Sequence, residues 1–252
     1  MNPREYRKMY EVEDFHWWYV ALHELILAHV RHKRENSSEP LKILDAGCGT
    51  GRLMQLMEKF GRVNGFDLAA EALDCCHKRG LKGVFQADLN SITLRASEYD
   101  VITSIDTLYH QWVVSERIVL ENIYNALKPG GTLILNLVAF EQLRSSHDVA
   151  VHTRKRYTRR EVLDLLESCG FRARSATYRL GFLFLPIVAT RILRRALHMD
   201  KLPESVPSDV TVPNPFMNRL LLGLARLENR FLLLGRMPAG SSIFVVADKP
   251  TV

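Results

Sequence analysis

Two kinds of apolar run alternate along the chain. Short continuous ones bounded by polar or glycine-bearing stretches read as buried strands, and longer ones with apolar positions three and four apart read as helices. LKILDA (Leu41–Ala46) is the first strand and GRLMQLMEKF the helix after it. RVNGFDL, GVFQAD and YDVITSID give strands two to four, with the helical AAEALDCCHKRG between the first two of these. A helix over Val114–Leu127 meets a breaker at Pro129-Gly130-Gly131, and GTLILNLVA is strand five. YTRREVLDLLESCGF opens with capping-box spacing, Thr158 to Glu161, and ends at Gly170. RARSATYR and SSIFVVADK read as a final pair of strands at the sheet edge. Strand–helix alternation with continuously apolar strands implies an α/β fold, a parallel sheet with helices on both faces.

Residues 1–40 read as an N-terminal helical cap, and residues 41–252 as the main domain. Its last two strands are separated by about sixty residues, Leu180–Gly240, too long for a simple loop. This insertion holds RLGFLFLPIVATRILRRAL, the Pro/Ser-rich PESVPSDVTVPNP, and a second apolar helix, FMNRLLLGLARLENRFLLLG.

With 252 residues, 47% hydrophobic and 25% charged, the chain is ample for one large domain. A net charge of +6 favours acidic partners. Eight basic and four acidic residues leave the insertion at +4, most of that total. Cys48, Cys75, Cys76 and Cys169 contain no CxxC pair, and the charged N-terminus has no apolar h-region. The chain therefore reads as cytoplasmic. The longest uncharged apolar window within RLGFLFLPIVATRILRRAL, Leu180–Thr190, is about half of what spans a bilayer.

The chemistry starts at LDAGCGTG, which closes strand one. Glycines at 47, 49 and 51 let the backbone turn tightly and approach a ligand, while the next helix offers free N–H groups to an anion. The spacing is G-x-G-x-G, with Arg52 where a dinucleotide fingerprint has its third glycine. Asp67 ends strand two, 22 residues after Asp45, where a carboxylate can take both hydroxyls of a ribose. Asp88 ends strand three, where a carboxylate can accept from an exocyclic amine. Acids and a glycine loop at successive strand ends describe a crevice for adenosine with a short zwitterionic tail.

LDAGCGTG, GFDLA, ADL and LKPGGTLIL resemble the motif set of the class I S-adenosylmethionine-dependent methyltransferases, over about Leu41–Ala139 and more loosely at the final strands. The resemblance implies a Rossmann-like seven-stranded sheet, mostly parallel with the last strand antiparallel. It implies S-adenosyl-L-methionine as cofactor and the homocysteine form as product. Asp45, Gly47, Cys48, Gly49 and Gly51 would line the methionine end, Asp67 and Leu68 the ribose, and Asp88 and Leu89 the adenine. The likeness is greatest to the small-molecule branch that includes the ubiquinone-type O-methyltransferases. YEVEDFHWWY and HTRKRYT further resemble a bacterial group (methyltransferase type 11/12-like) with His-Trp-Trp-aromatic on an N-terminal helix. Basic residues follow the aromatics in that group; Leu22 and His23 stand there in this chain.

Ser104–Asp106 should pass beside the cofactor, and Tyr109 and His110 of SIDTLYHQW should face the reaction chamber. An ordinary histidine pKa suits His110 as base for a hydroxyl acceptor; the other reading is a hydrogen-bonded core histidine. His152 and Tyr157 fall past strand five, where this fold places substrate-facing groups. Around them Arg154, Lys155, Arg156, Arg159 and Arg160 either grip a phosphate or carboxylate or solvate a helix start. Tyr10, Trp17, Trp18 and Tyr19 precede strand one; either one of the tryptophans closes the cofactor cleft while the other packs, or the whole cluster is packing. The spacing of His147, Asp148 and His152 matches no common metal site, and no metal is expected.

The reading is methyl transfer to a small-molecule acceptor, lipophilic or acidic, on oxygen or nitrogen. Two alternatives are a non-catalytic cofactor-binding partner or sensor, and an RNA methyltransferase. The chain lacks Asn/Asp-Pro-Pro-aromatic after strand four and any RNA-binding module, so no nucleic acid partner is expected. The insertion (about 180–235) is a lid or an interfacial helix peripheral at a membrane, or a packing element on its own domain or a homodimer mate.

Overall fold

The computed structural model describes residues 3–145, 148–149, 151–196 and 213–251. Two helices come first, α1 (Pro3–Val12) and α2 (Trp17–Glu35). An alternating series follows: β1 (Leu41–Ala46), α3 (Arg52–Met57), β2 (Gly61–Asp67), α4 (Ala70–Lys78), β3 (Val84–Gln86), β4 (Tyr99–Ile105), α5 (Glu116–Ala126) and β5 (Leu127–Val138). The chain continues with α6 (Arg159–Ser168), β6 (Arg172–Arg179), α7 (Phe184–Ala196), α8 (Pro215–Leu232) and β7 (Ser242–Asp248). His147 and most of the Pro/Ser-rich link lie outside the described residues.

The strands form one seven-stranded sheet in the order β3-β2-β1-β4-β5-β7-β6. Strands β1 to β5 are parallel, and β7 runs antiparallel between β5 and β6. Only β6 is therefore an edge of the terminal pair. The chain winds outward in both directions from β1 and β4, which opens a crevice at their C-terminal ends.

Apolar clusters cover both faces. One gathers α5 and α6 against Leu133, Leu135 and Val245, and the other gathers α2 and α3 against Ile43, Ile134 and Val246. Neighbours along a strand serve opposite faces, which is why these strands are continuously apolar.

Local chemistry sets the helix starts. Ser115 caps α5, and Thr158 and Glu161 form the full capping box of α6. Strand five begins earlier than the glycines suggest. Gly130 N–H donates to Lys249 and Lys249 N–H to Gly131, each over less than 3.0 Å, so β7 carries the ladder through the Pro-Gly-Gly turn. A register shift between Tyr99 and Val101 absorbs the irregularity.

The insertion docks on the N-terminal helices. Ala225, Glu228, Asn229 and Leu232 of α8 are buried. Asn229 donates to the Ala21 carbonyl, and Asn218 accepts from Trp17 N–H and donates to the Phe15 carbonyl. Phe216, Leu220, Leu224, Leu227, Phe231 and Leu234 remain exposed as a stripe along and just past the opposite side of α8. No helix among the described residues is long and apolar enough to cross a membrane.

Candidate active site

The glycine loop turns at the crevice because its backbone enters the left-handed region. Gly47 has φ +84°, and a Cβ there would stand 2.1 Å from Thr107 Cγ2. Gly47 and Cys48 N–H both donate to the Phe66 carbonyl, which pins β1 to β2 at the turn. Gly49 N–H donates to Asp67 Oδ2 at 3.0 Å, while Asp67 Oδ1 accepts from Ala69 N–H at 3.0 Å and the Tyr6 hydroxyl at 3.3 Å.

Two adjoining cavities open there. The smaller, about 170 Å3, is lined by Asp67, Leu68, Asp88, Leu89, Asn90 and Trp112 among others. The larger, about 410 Å3, runs from Asp45, Gly47, Cys48 and Gly49 into a chamber walled by Trp17, Trp18, Tyr19, Leu22, Asp106 and Tyr109. Tyr6, Gly47, Asp67, Thr107 and His110 line both.

These residues fit an adenosine with an amino-acid tail. Asp88 Oδ1 is occupied by Asn90, and its other oxygen makes no hydrogen bond among the described residues. Asp45 is 2% exposed; burial pushes its pKa up to about 7, against a 2.7 Å hydrogen bond from Thr103. A cation entering beside it would restore the carboxylate. Bound S-adenosylmethionine would bring that charge, together with an electrophilic methyl group.

Some of the expected site residues stand elsewhere. Tyr10 lines neither cavity: it stacks on the Arg79 guanidinium at 4.5 Å, and Tyr6, one turn earlier, faces the cofactor crevice instead. Ser104 is buried with its hydroxyl against Thr107, and Gly51 caps α3 rather than lining either cavity. Tyr157 donates to Glu116 at 2.5 Å, away from both cavities. His152, at φ +55°, packs on Trp112 outside the chamber.

Most of the basic run is engaged within the protein: Arg154 pairs with Glu116, Lys155 with Glu161 and Arg160 with Asp164, and Arg159 lies over the Tyr178 ring. Arg156 reaches the chamber wall but is already paired with buried Asp148 at 2.7 Å.

His110 does face the chamber, stacked on Tyr109 at 5.2 Å with Nδ1 unpartnered. Burial, with His152 nearby, lowers its pKa to about 4. At neutral pH it is an uncharged hydrogen-bonding group and a weaker base than an ordinary histidine. His23, at the position of the group's basic residues, is likewise held neutral, its pKa lowered to about 3 by burial and the nearby Arg52.

The N-terminal segment roofs the crevice. Glu13 accepts from Thr50 and pairs with Arg79 at 2.7 Å, both side chains nearly fully buried, and Asp14 pairs with Arg52 at 3.0 Å. These contacts join residues 37 to 66 positions apart, which no local pattern encodes.

Residues 44–135 match the methyltransferase domain family. A malonyl-[acyl-carrier protein] O-methyltransferase of Enterobacter lignolyticus is 31% identical over 104 residues, 40% of this chain and 41% of that one. The match thus spans less than half of that relative's length. A ubiquinone biosynthesis O-methyltransferase of Shewanella pealeana is 24% identical over 236 residues, covering 83% of this chain and 98% of the relative. In fold, the chain superposes on a SAM-dependent methyltransferase from Thermotoga maritima with a TM-score of 0.58 at 16% identity, covering 98% and 95% of the two chains. Strand order, the left-handed glycine turn against Asp67 and these likenesses agree: the chain has the fold of the class I S-adenosylmethionine-dependent methyltransferases and carries their methyltransferase domain over residues 44–135.

Proposed function

We propose that the protein transfers a methyl group from S-adenosylmethionine to a small-molecule acceptor. One observation carries this reading. The larger cavity does not stop at the glycine loop but continues into a chamber walled by Trp17, Trp18, Tyr19, Leu22 and Tyr109. A sensor needs only the cofactor crevice, and an RNA enzyme needs an open basic groove; a second, aromatic compartment suits a compact, partly apolar acceptor. The relatives' names, both O-methyltransferases, support oxygen as the atom methylated.

On this reading Asp67 and Asp88 hold the adenosine, Asp45 faces the tail, and the tryptophans exclude water from the acceptor. Methyl-labelled cofactor incubated with fractionated lipids and metabolites from the producing cell tests it. Label in one small-molecule fraction is expected. Label confined to RNA or protein would overturn the reading, and tight cofactor binding with no labelled product would favour the sensor.

The exposed Phe216–Leu234 stripe, beside Arg219, Arg226 and Arg230, supports a peripheral lipid contact close to the cavity mouth, since Asn218 bonds both Phe15 and Trp17. Flotation with anionic vesicles should fail after Leu227→Gln with Phe231→Gln. Flotation unchanged by the pair would overturn a lipid role for the stripe.

A further inference from the structure

A charged side chain with no solvent exposure stands behind the chamber. Arg179, the last residue of β6, is 0% exposed. Its guanidinium lies 5.8 Å from the Trp18 ring centre and Nη2 reaches the Trp18 carbonyl at 3.4 Å, whereas Nε and Nη1 have no partner. It forms no ion pair among the described residues, and Glu228, the nearest acid on α8 to influence it, is occupied by the Leu180 and Phe182 N–H groups. A buried guanidinium with unmade hydrogen bonds is unfavourable by several kcal/mol in general. Its charge needs a purpose or a counterpart.

The register supplies one. Arg179 lies beside Ser242, which lies beside Val138; two residues along, Phe244 lies beside Asn136. Neighbours in register share a face and alternate with period two, so Asn136, Val138, Ser242 and Arg179 project on the same side of the sheet. Val138 and Ser242 line the chamber. Asn136 is fully buried, and its Oδ1 is another orphan: an acceptor on the same face as the orphan donors of Arg179. Its Nδ2 donates to Asp106 Oδ1 at 3.0 Å.

Asp106 is where this network meets the chamber. It follows β4 at φ +56°, an unusual backbone for a non-glycine residue, and lines the larger cavity next to Thr107, which packs against the glycine loop. Burial raises its pKa to about 7, and Asn136, Arg179 and Tyr109 oppose that rise. The titratable groups around it are Tyr19 from α2, Tyr109 and His110 from the loop after β4, Arg156 across the chamber and Arg179 from β6. Both tyrosines are held protonated by burial, His110 is neutral and Arg156 is paired with Asp148, so Arg179 is the cation whose field acts on the carboxylate.

We propose that Asp106 takes the proton from the methyl-accepting group, and that Asn136 and Arg179 position its carboxylate and keep it charged. The proposal rests on the methyltransferase reading and narrows the acceptor to one with a dissociable proton, a hydroxyl rather than a carboxylate. As the acceptor oxygen forms its bond to the methyl carbon, its O–H proton passes to a carboxylate oxygen of Asp106. The carbon–sulfur bond breaks with its electron pair left on sulfur, giving a methyl ether and a neutral thioether.

Carbon-13 NMR of the aspartate carboxyl groups, followed from pH 4 to 9 in the cofactor-free protein and assigned with Asp106→Asn, reads the arrangement without turnover. Asp106 is expected to titrate near neutrality, to move up by at least one pH unit in Arg179→Met and to return toward the wild-type value in Arg179→Lys. Titration in the ordinary carboxylate range, or no movement in Arg179→Met, would overturn the proposal. With the fraction labelled in the acceptor experiment, Asp106→Asn should lower kcat by about 10²- to 10⁴-fold while calorimetry shows unchanged cofactor affinity. The acid limb of the kcat profile should also move up in Arg179→Met. A kcat within threefold of wild type in Asp106→Asn would sink the assignment and leave the methyltransferase reading intact. Wild-type protein that labels no fraction overturns that reading, and this proposal with it.

Discussion

Cofactor binding should release a proton, and Asp45 should be its source. In the empty crevice this carboxyl is 2% exposed, has one hydrogen bond from Thr103 and a pKa of about 7. Binding places a cationic cofactor beside it, which favours the ionised form. At pH 6.0 about nine-tenths of the empty protein carries the proton, and at pH 7.5 about a quarter does. Displacing it weakens binding by about 1.4 kcal/mol at pH 6.0 and about 0.2 kcal/mol at pH 7.5, so affinity should rise about eightfold between them. The cofactor's own amino group is almost fully charged at pH 6.0 and about two-thirds charged at pH 7.5, so the count at pH 6.0 is the one that reports Asp45 alone. Calorimetry in two buffers of different ionisation enthalpy measures the count directly: about 0.9 proton released at pH 6.0 and about 0.2 at pH 7.5. Asp45→Asn should lower the release at pH 6.0 by about 0.9 proton. A proton count of zero at both pH values, with wild-type affinity flat, would refute the reasoning.

Three further outcomes are expected. Asp67→Ala should weaken cofactor affinity at least tenfold, because the carboxylate also holds the glycine turn through Gly49 N–H; His110→Ala should lower turnover with affinity nearly intact. Equal cofactor affinity in the Asp67 variant, by calorimetry, would refute the ribose placement. Gly47→Ala should destabilise the fold by more than about 1 kcal/mol in urea titration and abolish cofactor binding, since φ +84° and Thr107 both exclude a Cβ; a wild-type midpoint would contradict this. Arg79→Met leaves Glu13 buried and unpaired and should cost about 3–5 kcal/mol in the same assay, with less than 1 kcal/mol counting against a structural latch.

Much of the fold was legible because its information is local. The strand–glycine–helix sequence around Gly47, the acids ending β1 and β2, and the capping box of α6 each lie within a few residues of one another. The site was legible only where it hangs on those motifs. Asp45, Gly47, Asp67 and Asp88 line the cavities, as do Tyr109 and His110 from the loop after β4. Tyr6 was missed in favour of Tyr10 because the rotation of α1 is set by docking on Thr50 and Arg79, at separations of 37 and 66 residues. His152 and Tyr157 sit in the expected stretch, but Glu116 and Trp112 hold them outside the chamber. The pKa of His110 departs from the free side chain because burial, which composition does not reveal, dominates it. Asp106 and Arg179 become partners only through the register of β5, β7 and β6. Asp106 was legible only as part of Ser104–Asp106, the stretch at the end of β4 expected beside the cofactor.

The ends of the insertion, Arg179 and Ser242, are paired neighbours in the sheet. A chain excursion that leaves and returns at one rung resembles a cassette in a fixed socket: the strands close the same way whatever is spliced between them. Closure entropy grows only with the logarithm of length, so replacing a four-residue turn by some sixty residues costs about 2–3 kcal/mol before any docking contact is counted. The contacts of α8 with α2 can offset that amount. The inserted segment can therefore be exchanged or lengthened while the cofactor crevice, built from the opposite half of the sheet, keeps its geometry.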